Sequence, residues 1–172
     1  AVKTVKDLIA LAKARPGALN YSSTGIGGIA HLTGELFKSM AGVNIVHVPY
    51  KATAQAMTEV ISGQVQLMFV PAGPAAAHVK SGRLRALAVT GARPSPLLPG
   101  VPAVSAALPG FEATSLVGLF APLKTPAPVL NRLSQEIGRT LAREDVRERY
   151  LSFGVEPAGS SPEEFSAKIV SE

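Results

Sequence analysis

The sequence predicts an α/β fold in which a mostly parallel sheet is flanked by helices. Three observations lead there. Short apolar segments alternate with amphipathic segments of about ten residues through the first half, the pattern of strand–helix–strand units. Glycine or proline punctuates nearly every junction between them. Hydrophobic residues make up 47% of the chain while tryptophan is absent and aromatics are 5%, so the core is expected to be built mainly from Ala, Val, Leu and Ile, which suit close packing of helices on a sheet.

The elements follow in order. Thr4 with Asp7 three residues on reads as a helix start, and Leu8, Leu11 and Ala12 recur on one face until Pro16-Gly17. Leu19 to Ser23 reads as a strand, Thr24 to Gly28 as a glycine turn, and the next helix carries Ile29, Leu32, Leu36 and Met40 on its apolar side up to Gly42. Asn44 to Val48 is the second strand, Pro49-Tyr50-Lys51 a loop, and Thr53 to Ile61 a helix. Val65 to Val70 is a buried strand, Pro74 to Lys80 an Ala-rich helix, and Leu84 to Thr90 a fourth strand.

After Thr90 the character changes. Pro94, Pro96, Pro99, Pro102, Pro109 and Pro122 punctuate the next stretch, which marks a boundary: residues 1–110 form one lobe and 111–172 begin another. Glu112 to Leu123 reads as extended. Thr125-Pro126 opens a long helix with Val129, Leu130, Leu133, Ile137 and Leu141 on one face, and two further helices run near Asp145–Phe153 and Pro162–Val170. An extended segment followed only by helices cannot complete a sheet. The second lobe is therefore expected to be incomplete, with apolar faces that need a covering sheet or a second copy of the chain.

Composition excludes several chemistries. No cysteine is present, which removes disulfides, thiolate metal sites and cysteine nucleophiles. The formal charge of +5 comes from scattered residues rather than a basic block with aromatics, so nucleic acid is not an expected partner. His31, His47 and His78 lack metal-ligand spacing and an accompanying acidic cluster, so no metal and no cofactor is expected. No serine elbow and no paired carboxylates are evident, which argues against an enzyme.

Ser22, Ser23, Thr24, Gly25, Ile26, Gly27 and Gly28 form the strongest local feature. A strand, a glycine turn and a helix start place free amides and a positive helix end at the carboxyl edge of the sheet, where anions bind in open α/β folds. Three hydroxyls stand beside that turn. His31 follows in the first helical turn, where it either meets an anion or caps locally. His47, between two valines, reads as a satisfied core residue, and His78 as a surface residue. Tyr50 and Lys51 follow the second strand at the same edge. Gly25, Gly27 and Ala30 also fit a dinucleotide fingerprint, but the next strand ends without the acid that would hold a ribose.

The chain resembles the Bug-type solute receptors of tripartite tricarboxylate transporters. The resemblance rests on Ala18 to Ser22 before the glycine turn, His31-Leu32 with Glu35-Leu36-Phe37, and His47-Val48-Pro49-Tyr50-Lys51. It continues through Gly63-Gln64-Val65, Met68-Phe69, Leu84 to Thr90, Gly118 to Pro122 and Thr125-Pro126. It implies a type II periplasmic-binding fold of two lobes with a ligand cleft between them. It further implies a small carboxylate ligand, membrane transporter components as partners, and a periplasmic protein whose signal peptide is not in this chain.

By the same resemblance the turn Ser22–Gly28, the loop through Tyr50, Lys51 and Ala52, and Val70 line the cleft. The family's amino-terminal lobe, with its own glycine-rich loop, is not in the sequence. Ala52 stands where the family usually has glycine, and Val70-Pro71 where many members carry Asp or Asn. Two other functions remain open on the residues alone: a nucleotide-dependent α/β enzyme, and the effector domain of a transcription regulator.

Overall fold

The computed structural model describes residues 2–171 of the chain. Two compact units are present, Ala1–Ser115 and Leu116–Glu172. The first unit extends past the break expected after residue 110. Phe111 is 2% exposed inside the core, and the Ala113 amide donates to the Thr90 carbonyl, so this stretch is tied to the sheet side of the chain.

The first unit begins with α1 (Val5–Ala14). Thr4 Oγ1 accepts from the Asp7 amide while the Asp7 carboxylate accepts from the Thr4 amide, a reciprocal cap that satisfies two otherwise free donors. Val5, Leu8 and Ala12 are its buried face. Gly17, at φ 76°, turns the chain into β1 (Asn20–Ser23). Then follow α2 (Ile29–Ala41), β2 (Val46–Pro49), α3 (Thr53–Ile61), β3 (Leu67–Met68) and α4 (Ala72–Lys80).

The three strands pair in the order β2-β1-β3, all parallel, with Tyr21 opposite His47 and Leu67, and Ser23 opposite Pro49. The expected parallel sheet is therefore present, with β1 at its centre. Expected strand 84–90 is not part of it. A single parallel bridge joins Val89 to Ala103, and the Val89 amide donates to the Pro102 carbonyl. The backbone groups of this segment are used by the proline-rich stretch, although Leu87 and Ala88 still pack on the core. One turn of 3-10 helix, Val104–Ala106, was not foreseen; its Val104 is buried.

One core cluster joins α1, α2 and β1 through Leu8, Ala12, Tyr21, Phe37 and Ile45, closed by Val104 and Phe111. Phe37 and Phe111 meet edge to face at 6.4 Å, and each such ring contributes about 2 kcal/mol by burial alone. Ala56, Met57, Val65 and Ala75 are buried outside this cluster, where α3 packs on β1 and β3.

Helix α2 turns a different face inward from the one its large apolar residues predict. Thr33, Gly34, Phe37 and Ala41 are buried, whereas Ile29, Leu32 and Met40 are exposed and Leu36 is half-buried. The small residues decide the matter. Gly34 lets the helix backbone come against the ring of Tyr21, and a bulkier face cannot approach so closely.

The second unit contains α5 (Ala127–Leu141), α6 (Glu144–Ser152) and α7 (Pro162–Ser171), preceded by an extended stretch without strand pairing. Helix α5 is amphipathic but buries no residue fully, and Val129 and Leu133 are exposed. The rings of Phe120 and Phe165 lie 5.5 Å apart, and the Phe165 ring occupies the space above Gly118.

Candidate functional site

Because all three strands are parallel, their carboxyl ends share one edge, and α2, α3 and α4 all start there. These three helix starts share a second property. None has a side-chain cap hydrogen bond and none has an acidic residue in its first turn. The start of α5, in the second unit, is also uncapped and acid-free, whereas α1 carries Asp7 in its first turn, α6 carries Glu144 and Asp145, and α7 carries Glu163 and Glu164. What sets α2, α3 and α4 apart is that they share one sheet edge. Each uncapped helix start presents roughly half a positive charge and up to four free amides. The sheet edge is therefore an electropositive surface made from backbone.

The glycine turn between β1 and α2 is open. Ile26 is 82% exposed, and the positions a Cβ would take on Gly25, Gly27 and Gly28 meet nothing within 4 Å. Gly25 and Gly27 have φ of 130° and 81°, conformations that L side chains rarely adopt, so the turn needs glycine at both places. Thr24 is exposed at its start.

Ser22 and Ser23 are both fully buried, on opposite faces of β1 by strand alternation. Ser23 Oγ lies 2.6 Å from His47 Nε2, donates to the Gly25 carbonyl at 2.9 Å and accepts from the Gly25 amide at 3.2 Å. A hydroxyl has a single proton. With that proton on the Gly25 carbonyl, His47 carries its own on Nε2. Ser22 Oγ, by contrast, is buried with no partner.

His31 does cap locally: its Nδ1 accepts the Gly27 amide at 3.1 Å. Its ring lies 4.2 Å from that of His47, which also stacks on Tyr21 at 4.9 Å. Below this group the Tyr21 hydroxyl donates to Glu35 Oε1 at 2.7 Å, and Lys38 donates to both Glu35 oxygens at 2.8 Å. Lys38 and then Tyr21 hold the Glu35 carboxyl below its usual range, while burial and Glu35 push the Tyr21 phenol up. Burial first, and His31 second, hold the His47 imidazole below its usual value, so it is a neutral ring at pH 7.

The remaining expected residues surround the same edge. Tyr50 is half-buried and its amide donates to the Ser23 carbonyl at 2.8 Å, which joins the β2 loop to the end of β1. Lys51 and Ala52 are exposed, and Lys51 forms no ion pair among the described residues. Ala52 has φ −147°, ordinary extended backbone, so no glycine is required there. Val70 is half-buried just after β3.

The end of β2 presents Pro49, Tyr50 and Lys51 and no carboxylate for a ribose. Among the described residues no group of three or more His, Asp or Glu side chains could hold a metal ion. Sequence reasoning missed the part His47, Tyr21 and Glu35 play beside the turn; the parallel register that sets Tyr21 opposite His47 was the signal. His78, expected on the surface, is half-buried, and its Nδ1 has no partner. It lines an open cavity of about 550 Å³ between α3 and α4, with Met57, Ile61 and Pro74.

Comparison with known proteins agrees with this architecture. A chain of 163 aligned residues in the Pseudomonas sp. (strain P51) UPF0065 protein in the tcbD-tcbE intergenic region is 36% identical, covering 94% of this chain and 48% of that relative. Among solved structures, R. palustris Rpa4515 with adipate superposes with a TM-score of 0.87 at 33% identity, over 99% of this chain and 57% of that one. The periplasmic binding protein BugD superposes with a TM-score of 0.81 at 31% identity, over 99% and 58%. MatC (Rpa3494) from Rhodopseudomonas palustris with bound malate does so with a TM-score of 0.80 at 27% identity, over 98% and 58%. The chain thus spans about half the length of the first of these relatives and under three fifths of the solved ones. Residues 1–172 match the description "Tripartite tricarboxylate transporter family receptor" throughout, and the chain belongs to that family.

Proposed function

We propose that this chain is the carboxy-terminal part of an extracytoplasmic solute receptor that captures a small carboxylate for a tripartite tricarboxylate-type transporter and does no chemistry on it. The observation that carries this reading is the set of three uncapped, acid-free helix starts at one sheet edge. Each favours a nearby anion by about 0.3–1 kcal/mol, and together they make a site for a carboxylate without burying a cation. Thr24, the turn Gly25–Gly28, Tyr50 and Lys51 supply the ligand side, Ser23 and His31 its support, with Ser22, Ala52 and Val70 at its margin. The acids held by two solved relatives, adipate and malate, support this ligand class.

In this reading the unit Leu116–Glu172 belongs to the family's first lobe, and the exposed faces of Val129 and Leu133 are covered by its sheet or by a second copy of the chain. The periplasm is the expected compartment, by likeness to BugD. Titration calorimetry on the full-length protein with adipate, malate and their diamides tests the proposal. The acids bind and the neutral diamides do not. Absence of binding to every acid, together with turnover of any substrate, would overturn it.

A further inference from the structure

The glycine turn does not offer its amides uniformly. Gly25 donates to Ser23 Oγ and Gly27 to His31 Nδ1. The amides of Ile26 and Gly28, and those of Ile29, Ala30 and His31 in the first turn of α2, meet no internal acceptor among the described residues. Occupied and free donors alternate along the turn.

The occupied donors are held by one connected set of side chains. Ser23 Oγ meets His47 Nε2, the His47 ring lies on that of His31, and His31 Nδ1 takes the Gly27 amide. Those contacts join the end of β1, the middle of β2 and the start of α2. A glycine-rich turn has many backbone conformations of similar energy, and holding it in one of them costs conformational entropy at every residue. Fixed acceptors at alternate amides select one of them before any ligand arrives.

We propose that Ser23, His47 and His31 are positioning residues, which take up the Gly25 and Gly27 amides and thereby reserve Ile26, Gly28 and the start of α2 for a carboxylate. The ligand half of this inference rests on the receptor reading above; the geometric half does not. His31 serves as acceptor only while Nδ1 is unprotonated, so a proton on that nitrogen removes the Gly27 contact. The groups facing the pair are Tyr21 from β1, His47 from β2, and Glu35 and Lys38 from α2. Glu35 is already bonded to Lys38 and Tyr21, so its charge is largely met away from the histidines.

Replacing His31 by Asn or Gln separates the acceptor from the ring. Asn carries an oxygen near the place of Nδ1; Gln carries its oxygen one bond further out. Amide hydrogen exchange on the unliganded full-length protein is expected to leave Gly27 protected in H31N. In H31Q exchange at Gly27 rises roughly ten-fold, the loss of one hydrogen bond. The wild-type Gly27 amide resonance shifts in step with protonation of the His31 ring, and that of H31N does not. With adipate as the probe, H31Q weakens binding roughly ten-fold while H31N stays near wild type.

Should H31Q fail to fold, Ser23→Ala provides the second measurement: Gly25 exchange rises and that of Gly27 is unchanged. Equal Gly27 protection in wild type, H31N and H31Q, or equal Gly25 protection in S23A, overturns the inference. Normal exchange behaviour without binding of any acid leaves the positioning geometry standing and removes the receptor reading instead.

Discussion

The ring of Tyr21 lies in the space that a side chain on Gly34 would fill. A Cβ built on Gly34 would overlap the Cε2, Cζ and Cδ2 atoms of that ring, which is fully buried and holds the Glu35 carboxylate through its hydroxyl. Gly34→Ala is therefore expected to destabilise the protein by about 1–3 kcal/mol, despite a helix-propensity gain of about 1 kcal/mol. Urea unfolding measures the difference, and an unchanged or raised midpoint would contradict the close packing of α2 on β1.

Removing the Tyr21 hydroxyl leaves the ring in place but takes a charge-assisted bond from Glu35. Tyr21→Phe should cost about 1.5 kcal/mol. Glu35 then titrates closer to the ordinary carboxylate range, which carbon-detected NMR of its carboxyl reports. A Glu35 titration identical in both proteins would place its anchoring on Lys38 alone.

Ser22 behaves in the opposite sense. Its hydroxyl is buried without a partner, so folding strips it of water for no return. Ser22→Ala should leave stability unchanged or raise it by about 1 kcal/mol. A clear loss of stability would show that the hydroxyl has a hydrogen-bond partner after all.

The sign of the pH dependence follows from His47. Its folded value is held below the ordinary 6.5, so the unfolded chain takes up this proton first as pH falls. Stability from this group is complete above the unfolded value and is lost as pH drops through the folded one. The melting temperature should fall from about pH 7 to about pH 5. His47→Gln, which keeps a group near Nε2, should flatten that slope, and an unaltered slope would assign it to another residue.

The exposed stripe on α2 makes a simple check of the face assignment. Leu32→Ser is expected to change stability by less than about 0.5 kcal/mol, whereas Phe37→Ala should cost about 3–5 kcal/mol. Comparable losses from the two would restore the apolar stripe to the interior.

What could be read beforehand divides by range of interaction. The Thr4–Asp7 cap and the bounds of α3 depend on residues within one or two turns, and both were legible. So was the strand–turn–helix Ser23–Ile29 that builds the site's edge. The inward face of α2 was not, because periodicity weighs apolar bulk and gives no credit to Gly34 for closeness. The segment 84–90 has strand composition, yet its fate depends on competition for backbone partners with residues 102–104. The contact of Ser23 with His47 spans twenty-four positions and exists only once the register of β1 and β2 is set.

The order β2-β1-β3 has a last consequence. The loop leaving the central strand has a neighbour on either flank, one after β2 and one after β3, and the first of these is tied to the end of β1 through the Tyr50 amide and the Ser23 carbonyl. Lys51, Ala52 and Val70 lie on those flanks, whereas the glycine turn is held by Ser23 and His31, so the residues that line the edge are separate from those that fix the turn. Substitutions at the two flanking loops thus reshape the edge without touching the backbone donors of the middle one.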